Sequence, residues 1–516
     1  MTATLDTGVH GRQDAGTGRQ SIARWEVIAV AAAMSVVVVI GVIAISRGAP
    51  LLWDEAVYSL RVRDLVGEAV RGHYWIEVRA PGLPVLLSPV GLLPGGDDLL
   101  SGGDAAALRG MCLGLAVVGV GLTWLIARFL IGSHGAALAA WLLVIAPGWH
   151  ESSWQVMPDI PGAVLTLAAM AVILFAARGE RVSWWALLAA PLCGAATLVR
   201  YGAPLLIGPA VLAALLLRWE AVRSSRLRSL LVLASTAVAA GIVWFVPAVT
   251  GSSRPPVLIF AGRQDDKAVP ALTSAADFLT RLFELVGPVF GPLVLVGGGV
   301  ALVAAVRHRV LRGPVVACAL IALSVLLLML FGIAQYTVRY LAPSLPFLAI
   351  LAAAGLIHIA DRPTSQAVVV LASAIGIVGV GLAADTAVHR TNEMLQTFGP
   401  VRSSYEDITS SAERPCVVLD HNPTAEWYTA CAAFGASNLP HLAAHTLPRA
   451  GVDPDEPLFV VIRHWPNRAN PSPQAQALLE ESVVGVDRSQ AVTVLDMGTV
   501  GQFTALLERR GLLTAP

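Results

Sequence analysis

Asp54 and Glu55 stand side by side in LLWDEAVYSLRVRDL, just past the first long apolar run. Ionisable groups at a membrane edge are costly, so a retained pair is a site candidate. A carboxylate there can take a proton from an attacking hydroxyl, or help position a metal ion or an acceptor. The pair also suits the first turn of a helix, where acidic side chains offset the positive end of the dipole. Both readings can hold together. Asp159, in SSWQVMPDIPG, is a second acid at the end of an apolar run. It reads as a helix N-cap with Pro161 in the first turn, or as an acid facing the same cavity as Asp54. His150 and Glu151 nearby are weaker candidates on a mobile loop.

Three arginines offer the complementary charge. Arg79 in RAPG, Arg200 in LVRYGAP and Arg339 in QYTVRYLAP each sit at the edge of an apolar run. Arg200-Tyr201 and Arg339-Tyr340 repeat one dipeptide. A guanidinium holds phosphate through paired hydrogen bonds, although it also snorkels to lipid headgroups. At least one of the three is expected to bind a lipid-borne phosphate. No HExxH, tandem Cys pair or Walker loop is present, which disfavours a primary pump. His421, His441, His445 and His464 lack ligand-like spacing and read as surface histidines. Gly297-Gly298-Gly299 lies inside an apolar run and reads as a close helix contact.

These residues need a membrane frame to bring them together. Hydrophobic residues make up 56% of the chain and charged residues 14%, against about 25% charged in soluble domains. Mean hydropathy is +0.69. Formal net charge is zero, so bulk charge gives no case for a nucleic-acid partner. Apolar runs of spanning length predict about eleven membrane helices: 27–45, 108–131, 136–147, 160–177, 184–199, 203–217, 229–249, 283–306, 315–331, 341–359 and 367–384. Residues 1–24 read as a disordered cytoplasmic tail, and 27–45 is too long and too far in for a signal peptide.

The positive-inside rule orients the set. With the N-terminus cytoplasmic, every alternate connection carries arginine, densely so in RWEAVRSSRLR and RHRVLR. The opposite connections hold the acidic pair and most internal prolines. The first outer loop, 46–107, contains an expected amphipathic helix at 56–70 lying on the outer leaflet, then a Pro-broken apolar piece. From residue 385 polarity returns. CVVLD, PLFVVIRHW and SQAVTVLDMG read as strands, and 473–481 as helical, of a small extracytoplasmic α/β domain, 385–516. Cys416 and Cys431 could pair there if the compartment is oxidising. Cys112, Cys193 and Cys318 read as apolar packing residues.

Taken in order, WDEAVYS, RAPGLPVLL, the span-edge Pro-Asp and RYLAPSLPFLAIL resemble the GT-C membrane glycosyltransferases. The nearest branch is protein O-mannosyltransferase-like and lipid A aminoarabinose transferase-like, over about residues 27–384. The resemblance implies an α-helical polytopic fold in a bacterial plasma membrane. It also implies a polyprenyl-phosphate sugar donor, a lipid, glycan or protein acceptor of the cell envelope, and inverting transfer on the outer face. Asp54 then matches the first-loop acid, Glu55 its neighbour and Asp159 the second acidic position. Arg79 and Pro81 take the place of a Lys/Arg-Pro-Pro segment, with Gly82 where a second proline is common. Arg339 and Tyr340 match a late Arg-Tyr element facing the donor phosphate, and Arg200 joins them as a phosphate-binding candidate. CVVLDHNPTAEWYTAC resembles the outer domain of bacterial members, which implies a Cys416–Cys431 disulfide. Some relatives need a divalent metal ion and others do not, so that requirement stays open. The rival classes are a secondary transporter, disfavoured by the lack of an internal repeat and of mid-span charge, and a lipid-linked sugar flippase or polymerase.

Overall fold

The computed structural model describes residues 23–67, 80–92, 105–249, 275–330, 338–359, 365–411, 415–420, 424–429, 431–434, 439–465, 468–470, 492–510 and 512–513. The tail, Arg79, His421 and the segment 473–481 lie outside the described residues.

Helices dominate. α1 (Arg24–Ser46) is followed by α2 (Trp53–Leu65), α3 (Gly82–Leu87), α4 (Ala106–Val144), α5 (Pro147–Ser153), α6 (Asp159–Ala176) and α7 (Ala189–Val199). α8 (Pro204–Leu216), α9 (Trp219–Ser224), α10 (Arg226–Val249), α11 (Ala275–Val286), α12 (Phe290–Arg307) and α13 (Arg309–Leu330) continue the bundle. α14 (Val338–Leu341), α15 (Leu345–Ile359) and α16 (Ser365–Ser411) complete it. Each of the eleven apolar segments is helical over most of its length. Six of the described helices are long and apolar enough to cross a membrane, and three more are shorter and apolar. The chain is a multi-pass membrane protein. The second and third expected spans form one 39-residue element that turns at Gly132, whose φ of 79° breaks the helical path. Only glycine adopts that conformation without strain. α16 runs on as helix past Asp385 to Ser411.

Small residues set the tightest packing. A Cβ at Gly297 of α12 would lie 2.5 Å from the Ala352 carbonyl oxygen of α15, and one at Gly355 would overlap the Gly297 carbonyl. Gly297 and Gly298 of the triple glycine thus meet α15, as membrane interfaces favour, while nothing lies within 4 Å of a Cβ at Gly299.

The connections sort to two ends of the bundle. At one end Arg128 pairs with Glu26 at 3.2 Å, and Arg218 donates to the carbonyls of Ala177 and Arg178. At the other end sit α2, α3 and a sheet with five strands among the described residues. In the sheet, β1 (Val417–Leu419) pairs parallel with β2 (Ala432–Phe434) and with β3 (Pro457–Trp465). β4 (Arg468–Asn470) and β5 (Val492–Thr499) pair antiparallel with β3. The short α17 (Thr424–Thr429) connects β1 to β2, and α18 (Val500–Arg509) closes the domain. All three expected strands are present; β2 and β4 are additional.

α2 differs from its expected setting. Ala56, Val57, Tyr58, Leu60 and Val62 are buried, and so are Glu55, Ser59 and Arg63. The helix is enclosed between the bundle and α17 instead of lying on a leaflet. The charges of Glu55 and Arg63 tolerate this because each finds partners inside the protein.

Candidate active site

Asp54 enters the site from the first turn of α2. Its Oδ2 lies 2.6 Å from Nη1 of Arg339, which α14 supplies at the start of the last compact apolar helix pair. Both side chains keep some solvent access, 13% for Asp54 and 26% for Arg339, so the pair lines an opening instead of being sealed in the core. The same Arg339 nitrogen contacts the Met157 sulfur at 3.5 Å, and Nη2 donates to the Tyr340 hydroxyl at 3.3 Å.

Asp159 occupies the first turn of α6, after Pro158 as the helix cap. Its Oδ1 lies 3.1 Å from Nη2 of Arg200, with the acid almost wholly buried. The contact is an ion pair by distance, without the alignment of a hydrogen bond. Arg200 ends α7 in an extended conformation, φ −145°. That turn sends its side chain across α6, where Gly162, one turn after Asp159, leaves room: a Cβ there would touch the Arg200 side chain at 3.4 Å.

The two ion pairs are one cluster. The guanidinium carbons of Arg200 and Arg339 lie 5.1 Å and 5.0 Å from the centroid of the same Tyr340 ring. The charges of both Asp159 and Asp54 act on Arg339. Two acids, two guanidiniums and one phenol thus converge from α2, α6, the end of α7 and α14. A cation over an aromatic face is attracted by the ring quadrupole, so Tyr340 spaces the arginines while binding both. Next to Arg200, burial pushes the Tyr201 hydroxyl above its usual range, against an opposing pull from Arg61.

Glu55 points elsewhere. Its two oxygens accept from Arg109 Nε at 3.1 Å, Arg109 Nη2 at 2.8 Å, the Val156 amide at 2.9 Å and the Leu52 amide at 3.0 Å. Four donors fill the capacity of a carboxylate. Arg109 also donates to the carbonyls of Ala49 and Pro50. This network ties the start of α2 to α4 and to the 154–156 turn that leads into Asp159. Sequence reasoning missed Arg109. Its one signal is an arginine placed one residue inside an apolar span, where charge is rare without a partner.

Gly82 begins α3 against the backbone of Leu198 and Val199; a Cβ there would lie 2.5 Å from the Leu198 carbonyl carbon. The departure from a second proline is therefore matched to this approach, immediately before Arg200. His150 is in a short buried helix and not a mobile loop; burial pulls its imidazole down to about 4. Cys416 and Cys431 form a disulfide. Among the described residues no three His, Cys, Asp or Glu side chains group as a metal site. Asp54 and Asp159 each face a guanidinium, a poor setting for a divalent cation.

The fold recurs among solved structures. The chain superposes on ArnT from Cupriavidus metallidurans bound to undecaprenyl phosphate with a TM-score of 0.61. The match covers 91% of this chain and 98% of that one at 16% identity. The chain has the GT-C fold of membrane glycosyltransferases. Apart from ArnT, the GT-C likeness extends to the oligosaccharyltransferase of Archaeoglobus fulgidus in its apo form. There the TM-score is 0.52 and identity 14%, over 85% of this chain and 70% of that one. Within the GT-C region, residues 98–249 match the dolichyl-phosphate-mannose-protein mannosyltransferase family, a stretch that holds both Asp159 and Arg200. No curated protein matches the chain by sequence.

Proposed function

We propose that the chain transfers a sugar from a polyprenyl-phosphate donor to a cell-envelope acceptor on the outer face of a bacterial plasma membrane. One observation carries this reading: Asp54–Arg339 and Asp159–Arg200 meet around the Tyr340 ring at the end of the bundle that bears the C-terminal domain. The arginine-rich connections at the opposite end support a cytoplasmic N-terminus and an extracytoplasmic site.

The chemistry follows from the charges. The acceptor oxygen attacks the anomeric carbon, the bond from that carbon to the phosphate oxygen breaks, and polyprenyl phosphate leaves with the electron pair. Arg339 and Arg200 stabilise the charge that grows on the leaving phosphate. Arg79, outside the described residues, is assigned the same task on the sequence resemblance. The donor phosphate displaces Asp54 from Arg339, and Asp54 takes the acceptor proton. Asp159 keeps Arg200 oriented. Glu55, with its oxygens filled, anchors the helix that carries Asp54. The undecaprenyl phosphate bound to the ArnT relative supports this donor class. Incubating the purified protein with labelled polyprenyl-phospho-sugars and envelope acceptors tests the proposal; label that never leaves the lipid rejects it.

A further inference from the structure

We propose that Trp427 and Tyr428 are positioning residues for the Asp54 reaction: the dipeptide clasps α2 at both ends and fixes where Asp54 points. The inference rests on the sugar-transfer reading above.

α2 has 13 residues, about the length at which an isolated helix is only marginal in water. Its orientation must come from tertiary contacts. Just before its first turn the Leu51 amide donates to the Tyr428 hydroxyl at 3.0 Å. Near its last turn the Arg63 guanidinium lies 3.8 Å from the Trp427 ring centroid, and Nη1 donates to the Trp427 carbonyl at 3.3 Å. Arg63 and Trp427 are both buried, and a desolvated cation–π contact is at the strong end of its range. Two adjacent residues of the C-terminal domain therefore touch both ends of the helix that carries Asp54.

The dipeptide is itself held firmly. It belongs to α17, inside the loop closed by Cys416–Cys431. Thr409 of α16 donates to the Tyr428 carbonyl at 3.1 Å. Arg402 of α16 lies 5.5 Å from the Tyr428 ring centroid and donates to the Gly48 carbonyl at 3.1 Å. α16, the disulfide loop and the chain entering α2 thus form one closed unit. The two aromatic residues reach α2 through Leu51 and Arg63, at its two ends, so both act through the helix. Arg339 is on α14, so a tilt of α2 changes the Asp54–Arg339 distance directly.

The test uses full-length protein in lipid. It compares Trp427→Ala, Trp427→Phe, Tyr428→Phe, Arg63→Ala and the double variant Arg63→Ala/Trp427→Ala. Readouts are kcat, donor KM and amide hydrogen exchange in residues 53–65. Trp427→Ala lowers kcat about 10²-fold, as ångström-scale misplacement of a reacting group does. Donor KM stays within about twofold, since ground-state binding is untouched, and exchange in α2 accelerates. Trp427→Phe restores most of the rate. The double variant is no slower than the worse single variant, because both break one contact. Tyr428→Phe, which keeps the ring and the packing, lowers kcat about fivefold through one lost hydrogen bond. Unchanged kcat in Trp427→Ala or Tyr428→Phe overturns the proposal. So does a fall in kcat with α2 exchange unaltered, or losses that add in the double variant. A wild-type protein that transfers no sugar rejects the enzyme reading instead; α2 exchange then decides the clasp alone, and unaltered protection in Trp427→Ala rejects it.

Discussion

Arg339 reaches Asp54 at 2.6 Å although the two lie near opposite ends of the membrane region in sequence, and its neighbour Tyr340 carries the contact on to Arg200. In the proposed reaction the cation is thus placed by the acid that serves as the base. Replacing Arg339 by Gln removes the charge that meets the leaving phosphate and lowers kcat about 10²–10³-fold, the scale of a lost transition-state donor. Arg339→Lys recovers only part of this, because an ammonium cannot keep the planar, paired geometry. Steady-state kinetics on both variants check the order; equal rates in Lys and Gln variants contradict it.

Glu55 separates stability from chemistry. Its partner Arg109 is buried with it, and breaking a buried pair costs about 3–5 kcal/mol because the remaining charge is uncompensated. Glu55→Gln therefore lowers the unfolding midpoint in detergent, while protein that stays folded keeps substantial turnover. Removing both charges with Glu55→Leu/Arg109→Met recovers much of the midpoint. A fully stable and inactive Glu55→Gln protein would assign the residue to the reaction.

Gly82 sets a backbone contact next to Arg200. Gly82→Ala pushes a methyl group into the Leu198–Val199 peptide and costs about 1–3 kcal/mol, as overpacking does, with weaker donor binding through displaced Arg200. Gly114→Ala is the control, since nothing lies within 4 Å of a Cβ there. Thermal unfolding and donor KM measured on both variants separate the site-specific effect from a general one.

His150 predicts a pH window. Its pKa falls from an ordinary 6.5 to about 4 in the fold, because burial disfavours the charged imidazolium. Between those values the unfolded chain binds more protons, so stability drops as pH falls from about 6.5 to 4, by about 3 kcal/mol for this group. His150→Phe removes that share. The difference in unfolding free energy between wild type and variant, measured across the window, changes by this amount; a constant difference contradicts it.

Much of the frame was legible in the sequence. Apolar runs of spanning length mark the helices because a bilayer demands them, and the glycine run marks the α12–α15 contact because only small residues permit it. Asp54, Asp159, Arg200 and Arg339 stood out because charge at span ends is costly. What could not be read was pairing across distance. Glu55 looked equivalent to Asp54 until Arg109 claimed it. The charges of α2 read as a solvent-facing stripe, yet Arg109 and Trp427 let Glu55 and Arg63 be buried. The polarity change at residue 385 falls within α16, which carries on to Ser411 because polar residues continue a helix well.

The most direct measurement is the transfer of labelled sugar from a panel of polyprenyl-phospho-sugars by wild type and Asp54→Asn, both reconstituted in lipid. Loss of the base is expected to cut transfer by about 10²–10⁴-fold, with the unfolding midpoint and donor binding retained. Equal transfer by the two proteins, or none by wild type with any donor, contradicts the account.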